Sequence, residues 1–144
     1  MVATGNPLNS IRPKNGSSVA RALSLYIVDS DLSVREGLTR LATSAGFDAK
    51  PCASAEAFLL EAGSGNAACA LVDICAAELR DPGLRARLTA VANFVPIIAL
   101  SARDDPQAQR TARELGARAF FRKPVDAAAL LDSIEWVTRK DKPA

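Results

Sequence analysis

Leu25-Tyr26-Ile27-Val28-Asp29-Ser30-Asp31 is an apolar run that ends abruptly in acid. Four apolar or aromatic residues without alternation mark a strand buried on both faces of a parallel sheet. Carboxylates just past such a strand lie in the crevice outside the carboxyl ends of the strands, where open α/β sheets place their chemistry. The signature returns downstream with different endings. Ala68-Cys69-Ala70-Leu71-Val72-Asp73 closes on one carboxylate, Val95-Pro96-Ile97-Ile98-Ala99-Leu100-Ser101 on a hydroxyl, and Ala119-Phe120-Phe121-Arg122-Lys123-Pro124 on a lysine. Residues 47–52 supply a shorter, weakly alternating strand between the first two of these.

Amphipathic segments separate the strands. Ser33-Val34-Arg35-Glu36 has the form of a capping box, and Val34, Leu38, Leu41, Ala42 and Ala45 keep one helical face apolar until Gly46. Ser54 is expected to cap a second helix with Phe58, Leu59 and Ala62 inward, before Gly63-Ser64-Gly65-Asn66 breaks it. A loop through Asp81-Pro82-Gly83 is expected to lead into a third helix, with Leu84, Leu88 and Val91 facing the core. Asp105-Pro106 opens a fourth that Gly116 stops, and Asp126 caps a last helix carrying Leu130, Leu131, Ile134 and Val137. Five β/α units joined by right-handed crossovers predict an α/β fold, a five-stranded parallel sheet with helices on both faces. In the flavodoxin-like order 2-1-3-4-5, strands one and three are neighbours. Asp29 and Asp73 would then lie side by side, flanked by Ser101 and Lys123.

The bulk properties narrow the function. A chain of 144 residues, 49% hydrophobic and 24% charged, suits one globular domain. A net charge of +2 gives no case for direct nucleic-acid binding by this domain. With no histidine and no C-x-x-C pair, a zinc site is not expected. Cys52, Cys69 and Cys75 read as small buried fillers in a reducing cytoplasm. No apolar run reaches membrane-spanning length, and no signal-peptide core is present, so no membrane partner is expected. Residues 1–22, with Arg12, Lys14 and Arg21 unopposed by acid, read as a flexible N-terminal tail. The folded domain is expected over residues 23–141, and residues 142–144 as a C-terminal tail.

Carboxylates gathered at one sheet edge repel and raise each other's pKa unless a cation joins them. A hard divalent ion, Mg²⁺ above all, suits such a site, because it takes one or two carboxylates and keeps waters for a phosphoryl group. A lysine ammonium and a serine hydroxyl would hold phosphate oxygens opposite it.

Val28-Asp29, Leu71-Val72-Asp73, Ile98-Ala99-Leu100-Ser101-Ala102 and Phe121-Arg122-Lys123-Pro124 stand in an order and spacing that resemble the receiver domain of bacterial two-component response regulators. The resemblance implies Asp73 as phosphoacceptor, Asp29 as an acidic-pocket residue, Ser101 as the switch hydroxyl, Lys123 as phosphate partner and Phe120 as the switch aromatic. It implies Mg²⁺ on Asp29, Asp73 and the main-chain carbonyl of Cys75, and a cis bond before Pro124. It further implies a histidine kinase or phosphotransfer protein as donor, and a downstream protein or output domain reached through residues 104–140. A homodimer is a further assembly open to such a domain, and its location is cytoplasmic. The domain would be a phosphoacceptor and not an enzyme, with at most slow autodephosphorylation.

Two departures qualify the resemblance. Where the family carries a second adjacent acid that binds the metal directly, this chain has Ser30, and Asp31 is the remaining candidate ligand. Ala76-Ala77-Glu78 replaces the Met-Pro-Gly turn common after the phosphoacceptor. A degenerate receiver, acting as a phosphorylation-independent interaction module, is therefore the alternative reading. A remoter one is a haloacid-dehalogenase-type phosphatase with Asp29 as nucleophile, since Asp29-Ser30-Asp31 resembles that family's first motif.

Overall fold

The computed structural model describes residues 23–62 and 67–140, so the expected tails and the glycine break at 63–66 lie outside the described residues. Its five strands are β1 (Ser24–Val28), β2 (Asp48–Cys52), β3 (Ala67–Asp73), β4 (Ile97–Ser101) and β5 (Ala119–Arg122). All pair in parallel, in the order β2-β1-β3-β4-β5. The helices are α1 (Leu32–Ser44), α2 (Ala55–Ala62), α3 (Pro82–Val91), α4 (Pro106–Leu115) and α5 (Ala127–Lys140).

Strand alternation sorts the apolar side chains into two cores. Tyr26, Val28, Ala70, Val72, Ile97 and Ala99 face α2, α3 and α4, whose Phe58, Leu88 and Leu115 complete that side. Leu25, Ile27, Leu71, Ile98 and Leu100 face α1 and α5, meeting Ala42, Leu130, Ile134 and Val137. The central strands are buried on both faces, which is why they carry no polar alternation. Phe58, wholly buried, meets the Tyr26 ring edge-on at 5.2 Å between centroids.

Register brings the strand ends level. Val28 pairs with Val72, Asp73 with Leu100, and Ser101 with Arg122. The parallel ladder runs one step further, from Asp29 N to Cys52 O, Ile74 N to Leu100 O and Lys123 N to Ser101 O. Asp29, Asp73, Ser101 and Lys123 therefore leave the sheet along one edge.

Helix ends follow their sequence signals with two corrections. Ser54 Oγ accepts from Ala57 N, Asp105 from Ala108 N and Asp126 from Ala129 N, and Gly116 closes α4 in the left-handed conformation at φ 82°. At α1, however, the cap is Asp31 and not Ser33: Asp31 Oδ1 accepts from Ser33 N at 2.9 Å and Val34 N at 3.2 Å. The cause lies upstream. Asp29 Oδ1 accepts from Asp31 N at 2.9 Å, turning the chain within two residues of β1 and starting the helix at Leu32, earlier than the capping box requires.

Asp81-Pro82-Gly83 is likewise a helix start and not a loop. Asp81 Oδ2 accepts from Leu84 N at 3.1 Å with Pro82 at the first helical position. Ahead of it, Ala77–Arg80 form a 3₁₀ turn that buries Leu79. Cys52 and Cys69 are buried as expected, but Cys75 is exposed, because it falls past the end of β3.

Removal of the cap discriminates between the two candidates. Asp31→Ala should lower stability by about 1 kcal/mol in urea denaturation, and Ser33→Ala should leave it nearly unchanged. The reverse ranking would return the cap to Ser33.

Candidate functional site

Lys123 Nζ, at the end of β5, reaches across the β4 end to Asp29 Oδ2 at 2.6 Å and stands 3.6 Å from Asp73 Oδ2. The Asp29 side chain is fully buried, and those of Asp73 and Lys123 are mostly so. Each carboxylate spends its second oxygen on the backbone: Asp29 Oδ1 on Asp31 N, and Asp73 Oδ1 on Cys75 N at 3.0 Å. These bonds fix both carboxyl planes before any ligand arrives.

Asp73 has its pKa raised, chiefly because burial penalises the charged form. The Cys75 amide and the Lys123 charge pull it back down, and the Asp29 charge pushes it further up.

Ser101 is buried at the end of β4. Its Oγ accepts from Arg103 N at 3.0 Å, donates to Arg103 O at 2.5 Å, and lies 3.0 Å from Cys75 Sγ. The hydroxyl is thus held by its own loop and by the residue two past Asp73. Phe120, half-buried, packs against the core beneath α4. Lys123-Pro124 is cis, as the resemblance implies.

The sequence-derived candidates separate into two groups. Asp29, Asp73, Ser101 and Lys123 converge, with Cys75 beside them. Ser30 points to solvent, and Asp31, also exposed, is committed to α1 through one oxygen. Among the described residues no group of three or more His, Cys, Asp or Glu side chains is placed to hold a metal. The donor set still fits Mg²⁺ in its sparing mode, in which one or two carboxylates suffice and water supplies the remainder.

Three contributors carry no obvious sequence signal. Arg35 Nη1 donates to the Asp29 carbonyl at 2.7 Å, from the first turn of α1 back over the β1–α1 loop. Glu78 Oε2 accepts from Ala55 N at 2.8 Å, tying the 3₁₀ turn to the start of α2. The contact of the Cys75 thiol with Ser101 depends on strand order, which spacing alone does not give.

The carboxyl edge of this doubly wound sheet gathers a carboxylate pair, a lysine and a serine, the place where open α/β sheets put their chemistry. The family model described as response regulator receiver domain matches residues 25–135, and the chain belongs to that family. It is 34% identical over 110 residues to the response regulator protein TmoT of Ectopseudomonas mendocina, covering 76% of this chain and 50% of that protein. It is 30% identical over 120 residues to the transcriptional regulatory protein FixJ of Bradyrhizobium diazoefficiens, covering 83% and 58%. The chain therefore spans about half the length of these curated relatives. Among solved structures, a signal receiver domain of an HD domain-containing protein from Pseudomonas fluorescens Pf-5 superposes with a TM-score of 0.75 at 19% identity, covering 84% of this chain and 98% of that one. A CheY-like receiver domain from Methanospirillum hungatei JF-1 gives 0.71 at 19% identity, covering 84% and 97%. As a receiver domain it is a regulatory module of phosphorelay signalling. Among the described residues no helix is long and apolar enough to cross a membrane.

The raised pKa of Asp73 has a consequence for stability. A carboxyl whose folded pKa lies above its unfolded value binds its proton more tightly when folded. Its favourable contribution is complete below the unfolded pKa and is lost as pH rises through the folded pKa. At neutral pH, in chelator, Asp73→Asn should therefore raise the urea midpoint, and the gain should fade as pH falls through the acid range. A lower midpoint at neutral pH would mean that pairing with Lys123 outweighs burial.

Proposed function

We propose that this domain accepts a phosphoryl group on Asp73 from a histidine kinase or phosphotransfer protein, in the cytoplasm, and transmits the change through residues 104–140. The observation that carries this reading is Lys123 Nζ, placed between Asp29 and Asp73 at the level of the strand ends. In the transfer, Asp73 Oδ2 attacks phosphorus, the bond to the donor nitrogen breaks, and an acyl phosphate remains on β3. Lys123 is the counter-charge for the incoming oxygens. Ser101 Oγ then exchanges its bonds to Arg103 for one to the phosphoryl group. The β4–α4 loop follows, and Phe120 with it.

Asp29, Asp73 and the Cys75 carbonyl would hold Mg²⁺, which supplies positive charge against the phosphoryl oxygens. Because Ser30 replaces a carboxylate and Asp31 is engaged at α1, this site is weak. The surface of α4, β5 and α5 would meet a downstream protein or an output domain. Relatives that this chain matches over about half of their length, one of them named a transcriptional regulatory protein, fit such an arrangement. Slow hydrolysis of its own acyl phosphate would be the limit of its catalysis.

Ser30 favours a second reading, in which the domain binds its partner in one conformation without phosphorylation. The phosphatase reading draws no support from the geometry, because the Asp29 carboxylate is buried with both oxygens engaged.

Incubation with acetyl phosphate and excess Mg²⁺ should add a single phosphoryl mass that Asp73→Asn abolishes. No adduct at forcing metal concentrations would leave the phosphorylation-independent reading in its place. In metal titrations followed by amide NMR shifts, Ser30→Asp should tighten Mg²⁺ binding by roughly tenfold or more. Unchanged affinity would show that Ser30 is not at a ligand position.

A further inference from the structure

A cleft of about 130 Å³ opens between the 3₁₀ turn with α3 on one side and the β4–α4 loop with α4 on the other. Arg80, Arg85 and Arg103 line it, with Gln107 and Thr111 on one face of α4, and among the described residues no acidic one does. Ile74 and Leu79, both buried, also line it.

The three guanidinium groups are not equally committed. Arg85 pairs with Glu114 at 2.6 Å and Arg103 with Asp105 at 3.3 Å, both acids lying outside the lining, and Arg80 is exposed with no acid within ion-pair distance among the described residues. An arginine presents five donors in a planar fork, so one carboxylate contact leaves donors free for a second anion. Three such forks with an amide and a hydroxyl form a donor-rich site of a size to take one small oxyanion. Cys75 also lines the cleft, and the backbone of Arg103 bonds the Ser101 hydroxyl.

The geometry points to a binding site for a compact, doubly charged oxyanion in the cleft between α3 and α4, separate from the phosphoacceptor pocket. Phosphate and a small dicarboxylate share the chemistry that this cleft recognises. The Asp73 pocket does not compete, because two carboxylates face Lys123 there and repel a second anion. An anion gripped by Arg103 and Arg80 would tether the β4–α4 loop to the 3₁₀ turn across the cleft.

The test is an amide NMR titration of the unphosphorylated protein with inorganic phosphate and, separately, malonate, each against chloride at matched ionic strength. Saturable shifts are expected at Cys75, Arg103, Gln107 and Thr111, with the anion that saturates first naming the preferred group. Arg80→Ala and Arg103→Ala, both exposed positions, should each weaken binding by about tenfold, and Arg139→Ala on α5 should leave it unchanged. Shifts that chloride reproduces, or that survive both arginine substitutions, would overturn the site.

Discussion

The ammonium of Lys123 between two carboxylates is the contact on which the carboxyl edge of the sheet depends. Asp29 is completely buried, and a buried carboxylate without a counter-charge is costly enough that it would instead take up a proton. Breaking such a pair by removing one partner typically costs about 3–5 kcal/mol, because the other charge remains uncompensated. Lys123 is therefore a structural element first. The whole register of β1, β3, β4 and β5 is what brings its nitrogen there, since a one-residue slip would send Asp73 or Ser101 to the opposite face.

The same contact sets the polarity of the site. With both carboxylates already aligned by backbone amides, little reorganisation is needed for a phosphoryl group or a cation to enter. Arg35, donating to the Asp29 carbonyl, adds positive charge close to the acidic pocket from the α1 side. The negative charge of the Asp29–Asp73 pair is thus strongly offset by the cations around it.

Most of this edge was legible in the residues. β1, β3 and β4 announced themselves as apolar runs because burial on both faces removes polar alternation, and these three, with β5, led to the residues that the structure delivers to the crevice. What escaped were choices between local alternatives and contacts between distant segments. Asp31 and Ser33 are both good caps, and only the Asx turn from Asp29 decides between them. Pro82 and Gly83 look like a turn in isolation, yet proline is at home in a first helical turn. Burial is the ordinary expectation for a free cysteine, whereas the position of Cys75 two past the strand end exposes it. Glu78 reaching Ala55, and arginines from three segments sharing one cleft, require the tertiary fold.

The bond from Ala55 N to Glu78 gives the two sides of the crevice unequal stiffness. On the β2 side, the 3₁₀ turn is pinned to α2, and α2 is joined to α3 again by the two-pronged contact of Arg87 with Glu56. On the β4 side, the Ser101 hydroxyl and the thiol beside it provide the corresponding fastening. One flank of the crevice is therefore fastened by charged side chains that reach between segments, and the other by a single buried hydroxyl with a thiol beside it.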